Sequence, residues 1–136
     1  MNIGIIGYGS MGRMLYEKLH ENVSVGKAKF YVSNRTQEKI THLQDTCKVC
    51  KKNEQVAEHT DILFLCVRPA DMKDILVEIK DSLKKDVLLV SLNGSILFEQ
   101  LSKLCDVRCS SVINDIFSGR SFHLSCFRIE KVDIFS

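Results

Sequence analysis

A chain of 136 residues, 45% of them hydrophobic and 26% charged, is long enough for one globular domain with a real core and too short for two ordinary ones. Its formal net charge of +2 is too small to mark a nucleic-acid or acidic-membrane partner, and no apolar run approaches the roughly 20 residues that cross a bilayer. The N-terminus is itself strand-like rather than a basic segment followed by a signal-type apolar stretch, which predicts a cytoplasmic protein whose six cysteines are reduced thiols.

The first element is a short apolar strand, Ile3 to Ile6, that runs straight into Gly7-Tyr8-Gly9-Ser10-Met11-Gly12 and then into a helically spaced segment, Met11 to His20. G-x-G-x-x-G is weak as a bare pattern. Between a strand and a helix it is the fingerprint of a dinucleotide site. Gly7 permits the tight turn, Gly9 leaves the backbone open to a pyrophosphate, and Gly12 lets the helix pack closely on the sheet. The phosphates then meet the N–H groups and positive dipole end of a helix N-terminus, so Ser10 and Met11 join the expected contact set.

The second strand, Phe30 to Val32, leads into Ser33-Asn34-Arg35, about 20 residues past the last fingerprint glycine. This position selects the cofactor. A carboxylate there would accept hydrogen bonds from the ribose hydroxyls of NAD and repel a 2′-phosphate. Neither Asp nor Glu is present. Ser33 and Asn34 offer neutral hydrogen bonds and Arg35 a fixed cation whose fork suits phosphate oxygens, so NADP(H) is the expected cofactor. The same three residues would also serve as a polar turn capping the helix expected over Thr36 to Asp45, and the two readings are compatible.

An edge strand is expected around Cys47 to Cys50, a buried strand at Ile62 to Val67, a helix over Asp71 to Leu83 with Ile75, Leu76, Ile79 and Leu83 as its buried stripe, and a strand at Val87 to Leu92. Ser95 would cap a further helix from Ile96 to Leu104. Alternating strands and helices of this kind predict an α/β domain of Rossmann type, a doubly wound, mostly parallel sheet. From Cys105 onward the pattern weakens, with strand-like alternation at Phe122 to Cys126 and Val132 to Ile134. The expected division is a nucleotide-binding domain over 1–108 and a diverged or truncated tail over 109–136, with short strands completing the domain.

Cys47 and Cys50 have metal-type C-x-x-C spacing, but Cys105 and Cys109 form only a C-x-x-x-C pair, and no metal site is expected. The four histidines are scattered without a partner pattern, and Lys48, Lys51 and Lys52 read as a solvated surface. No catalytic residue is assigned.

With the fingerprint, Ser33-Asn34-Arg35, the N-x-E-x-V-like stretch from Asn53 and the strand ending in Val67-Arg68-Pro69 taken in order, the chain resembles the N-terminal cofactor domain of the pyrroline-5-carboxylate reductase family over about residues 1–108. The resemblance implies reduction of a cyclic imine to L-proline by hydride from NADP(H), with no metal. It implies further that Ser33 and Arg35 hold the 2′-phosphate, that Asn53 approaches the adenosine ribose, and that Val67, Arg68 and Asn93 lie near the nicotinamide, with Pro69 and Asn93-Gly94 on the same carboxyl edge.

Two features depart from the family. Its members continue into a helical domain that makes the dimer and supplies much of the substrate pocket, and this chain is expected to lack it. Val107-Arg108-Cys109 keeps the family's late arginine but not the proline that follows it. The expectation is therefore a cofactor-binding domain catalytically incomplete alone, taking a small-molecule substrate only if completed, with a homo-oligomer left open. The S-N-R-T, C-V-R-P and S-L-N-G stretches equally suit the late-competence-operon paralogue of the family, which would make the chain a non-catalytic cofactor-sensing or interaction module. A third reading is another NADP-dependent oxidoreductase, such as a deazaflavin-linked one.

Overall fold

The computed structural model describes residues 1–21, 28–91 and the backbone of 108–111. Six strands form one sheet in the order β3-β2-β1-β4-β5-β6, where β1 is Asn2–Ile6, β2 Lys29–Ser33, β3 Lys48–Val49, β4 Ile62–Leu65, β5 Leu88–Ser91 and β6 Arg108–Ser111. All five neighbouring pairs are parallel. Strand order reverses between β1 and β4. In a doubly wound sheet that reversal opens a crevice at the carboxyl ends of the two strands, which here continue into Gly7 and Cys66.

The strands are apolar at consecutive positions because both faces of the sheet are covered. Ile62 and Phe64 of β4 pack with Ile3, Ile5, Val32 and Val90 on one face, while Leu63 and Leu65 pack with Ile6 and Leu89 on the other. The first face is covered by α1, Ser10–Glu21, through Leu15, Tyr16 and Leu19, one stripe at helical spacing. The second is covered by α2, Asn53–His59, through Val56 and Ala57, and by α3, Pro69–Ile79, through Met72, Leu76 and Ile79. Gly4 brings α2 down onto the sheet, since a Cβ there would lie 2.6 Å from Thr60 Cγ2 and 2.7 Å from Val56 Cγ1.

Asp61 ties the amino edge together. Its carboxylate accepts from the backbone N–H of Asn2 at 2.8 Å and from Lys84 Nζ at 3.2 Å, and those donors hold it below the usual carboxylate range.

The structure departs from the sequence expectation at several elements. Thr36 to Asp45 is not an α-helix but two 3-10 turns, Gln37–Lys39 and Thr41–Leu43. Its two buried anchors, Ile40 and Leu43, are three residues apart, which suits the tighter turn, and Thr41 Oγ1 donates to the Glu38 carbonyl at 2.9 Å in competition with helical pairing. Helix α3 begins at Pro69 rather than Asp71, since proline's missing N–H costs nothing in a first turn, and it ends at Ile79. Met72 joins its buried stripe, while Ile75 and Leu83 are half-buried. Strand β4 stops at Leu65, before Cys66 and Val67. Helix α2 and strand β6 are additional elements. The edge strand is present as Lys48–Val49. The helix expected over Ile96 to Leu104, Asn93-Gly94 and the strands expected beyond Ser121 lie outside the described residues.

Candidate functional site

The crevice at the carboxyl ends of β1, β2, β3 and β4 is a cleft of about 700 Å³. Its floor is Ile6, Gly7, Gly9, Cys66 and Val67. Gly7 has φ +97°, a conformation that side-chain-bearing residues rarely adopt, and a Cβ on it would lie 2.8 Å from the Cys66 carbonyl oxygen. Gly12 sits one helical turn into the motif, where a Cβ would collide with the carbonyl oxygen of Gly7. A Cβ on Gly9 would meet nothing within 4 Å. Gly9 therefore faces open space. These three environments are the ones a pyrophosphate cradle requires: a sharp turn, a close helix and an uncovered backbone.

The loop after β2 is fastened to the glycine loop. The backbone N–H of Gly7 donates to the Ser33 carbonyl at 2.9 Å, and the N–H of Tyr8 donates to Asn34 Oδ1 at 2.9 Å. Asn34 Nδ2 donates to the Thr36 carbonyl at 3.0 Å, and Gln37 Nε2 to the Asn34 carbonyl at 2.9 Å. Both polar ends of the Asn34 amide are thus engaged within the chain, and Asn34 is a strut between two loops. Ser33 is buried, and its hydroxyl donates to Asn53 Oδ1 at 2.7 Å, which fixes the amide of Asn53 at the cleft wall. Gln55 Oε1 accepts from the N–H groups of Lys51 and Lys52 at 3.1 and 3.2 Å and so sets the turn into α2 that presents Asn53.

Charge is divided across the cleft. Arg35, Lys39, Lys51, Lys52 and Arg68 line it together with Asp71, Asp74 and Glu78. Arg35 is highly exposed, and its Nη2 lies 3.6 Å from Asp71 Oδ1. Arg68 Nε donates to Asp71 Oδ2 at 3.1 Å. Glu78 is pushed up by a hydrogen bond shared with Glu54 and by burial, while a hydrogen bond from Asn53 pulls it down. Desolvation raises the Cys66 thiol above the ordinary range, so the half-buried side chain stands in the cleft floor as a neutral thiol.

Of the residues singled out from the sequence, Gly7, Gly9, Asn34, Arg35, Asn53, Val67 and Arg68 meet at this cleft, with Gly12 and Ser33 directly behind it. Ser10, Met11 and Pro69 are not part of its lining. Lys51 and Lys52, read from the sequence as solvated surface, and Asp71, read as the first residue of a helix, belong to the cleft. Their signal was position: each follows a parallel strand at the carboxyl edge. Cys47, Cys50 and Cys66 are free thiols, and no group of three or more His, Cys, Asp or Glu able to hold a metal occurs among the described residues.

The family described as NADP oxidoreductase, coenzyme F420-dependent, matches residues 2–94. The chain belongs to that family. NADP is thus the cofactor named for the family to which this cleft belongs. ComE operon protein 4 of Bacillus subtilis (strain 168) is 30% identical over 119 residues, taking in 85% of this chain and 44% of that protein. Pyrroline-5-carboxylate reductase of Escherichia coli (strain K12) is 32% identical over 103 residues, 74% of this chain and 38% of that one. The solved structure of a pyrroline-5-carboxylate reductase from Coxiella burnetii superimposes with a TM-score of 0.72 at 27% identity, covering 81% of this chain and 42% of its own. The chain spans less than half the length of these relatives. No helix among the described residues is long and apolar enough to cross a membrane.

Proposed function

We propose that this chain is the NADP(H)-binding domain of a pyrroline-5-carboxylate reductase-like oxidoreductase. The observation that carries the reading is the exposed guanidinium of Arg35 beside a glycine floor, at a position with no carboxylate to take the ribose hydroxyls. The chain's residues fit a dinucleotide. Gly9 leaves room for the pyrophosphate, the N-terminus of α1 supplies N–H groups, Arg35 meets a 2′-phosphate, and Asn53, oriented by Ser33, meets the adenosine ribose. Asn34 holds the two loops in register and Val67 supplies apolar contact. Family resemblance assigns Arg68, Pro69, Asn93 and Gly94 to the nicotinamide side, but the Arg68 guanidinium shares the Asp71 carboxylate with Arg35, which puts that side chain at the 2′-phosphate end.

When bound, NADPH supplies a hydride to the carbon of a C=N bond, and a proton to the nitrogen completes the amine, which for 1-pyrroline-5-carboxylate gives L-proline. The chain's share is orientation and charge complementarity. The substrate pocket and the dimer surface belong, by resemblance, to a helical region beyond these residues, so the domain alone binds cofactor without turning over substrate. The test is a titration with NADPH and NADH followed by nicotinamide fluorescence, with no tryptophan to interfere. Saturable binding that prefers NADPH supports the proposal. Binding of neither, or a preference for NADH, refutes it.

A second reading has its own support: the longest of the alignments above is to the ComE operon protein, which favours a competence-type paralogue. That reading predicts NADPH binding without imine reduction even after the rest of the relatives' length is supplied by fusion.

A further inference from the structure

The cleft contains an internal anion that the nucleotide reading does not use. Asp71, in the first turn of α3, sits between the two arginines of the cleft, and its side chain is only 27% exposed against 79% for Arg35 and 74% for Arg68. Its two contacts differ in kind. Arg68 is three residues away on the same turn and donates a hydrogen bond at 3.1 Å, a local contact that holds the carboxylate in place. Arg35 comes from the loop after β2, on the other wall, and stands at 3.6 Å, too far for a hydrogen bond. The pair therefore spans the cleft by charge alone.

We propose that Asp71 determines cofactor selectivity by holding Arg35 in a parked position from which a 2′-phosphate must take it; the inference rests on the NADP(H) reading above. A phosphate dianion offers more charge and more acceptor oxygens than one carboxylate oxygen at long range, so the exchange runs toward the phosphate. Asp71 stays with Arg68, and releasing Arg35 subtracts from NADPH affinity. NADH has no phosphate at that position, so Arg35 remains on Asp71 and nothing is subtracted. Asp71 thus lowers the preference for NADPH that Arg35 creates.

The test is a double-mutant cycle on the full chain, with NADPH and NADH titrated against wild type, Asp71→Asn, Arg35→Ala and the double variant. Loss of an exposed ion pair corresponds to about a two- to fivefold effect, so Asp71→Asn is expected to tighten NADPH by about that factor, with NADH unchanged. In the Arg35→Ala background Asp71→Asn is expected to change neither. Asp71→Ser, which keeps a small polar group in the first turn, repeats the measurement should the amide disturb the helix.

Weaker NADPH binding by Asp71→Asn would overturn the inference by making Asp71 a group that pre-positions Arg35. Tighter NADPH binding that persists without Arg35 would also overturn it, in favour of direct repulsion between Asp71 and the phosphate. Equal changes for both cofactors overturn it as well. Wild-type protein that binds neither nucleotide removes the nucleotide reading itself, a result separable from all of these.

Discussion

Asn34 makes the sharpest distinction between a residue that touches ligand and one that shapes the site. Truncating it with Asn34→Ala removes the acceptor of the Tyr8 N–H and the donor to the Thr36 carbonyl. Tyr8 is buried, so its N–H is left without its partner at a cost of about 1–2 kcal/mol, whereas the exposed Thr36 carbonyl finds water and loses roughly 0.5 kcal/mol. The sum is about 1.5–2.5 kcal/mol, a large share of the roughly 5–15 kcal/mol that holds a domain together. The midpoint should fall by about 5–10 °C. Asn34→Asp keeps an acceptor for Tyr8 and loses only the donor, and should lie between wild type and alanine. Urea unfolding followed by circular dichroism, without cofactor, measures both. A loss under about 0.5 kcal/mol for Asn34→Ala, or no recovery by Asn34→Asp, would show that the amide does not brace the two loops.

The fingerprint glycines should separate stability from binding. Gly7→Ala meets both a positive φ and the Cys66 carbonyl, and should cost about 2–5 kcal/mol in urea unfolding. Gly9→Ala meets nothing within 4 Å, and should leave stability within about 1 kcal/mol of wild type while weakening NADPH in the same titration. Asp61 should give the protein an acid-sensitive term. Its folded pKa lies below its ordinary value, so its contribution is full above about pH 4 and is lost as pH falls through the depressed value. Asp61→Asn should therefore destabilise at pH 7 and flatten the acid limb of a stability-against-pH curve; an unchanged limb would contradict this.

The fold was legible where the physics is local and repetitive. Consecutive apolar residues at Ile3 to Ile6 and Ile62 to Leu65 mark strands covered on both faces, and Leu15, Tyr16 and Leu19 mark a helix stripe. Thr36 to Asp45 is ambiguous in sequence because it has few apolar anchors, and a spacing of three between Ile40 and Leu43 suits a 3-10 turn as well as a helix. Helix α2 is silent in the sequence because seven residues with two buried side chains give almost no periodic signal. At the site, glycines and Arg35 carry their chemistry in their identities. Asn34 carries a further role that its identity does not show: its amide braces Tyr8 and Thr36, a pairing fixed only by tertiary geometry. The pairing of Asp71 with Arg35, 36 residues away in sequence, is legible only once β2 and α3 face each other across the cleft.

The most direct measurement of the central claim compares Arg35→Ala with wild type for NADPH and NADH side by side. A charge-assisted hydrogen bond of about 1.5–3 kcal/mol predicts about a ten- to hundredfold loss of NADPH affinity with little change for NADH. Equal loss for both cofactors, or none for either, would contradict a 2′-phosphate site at Arg35.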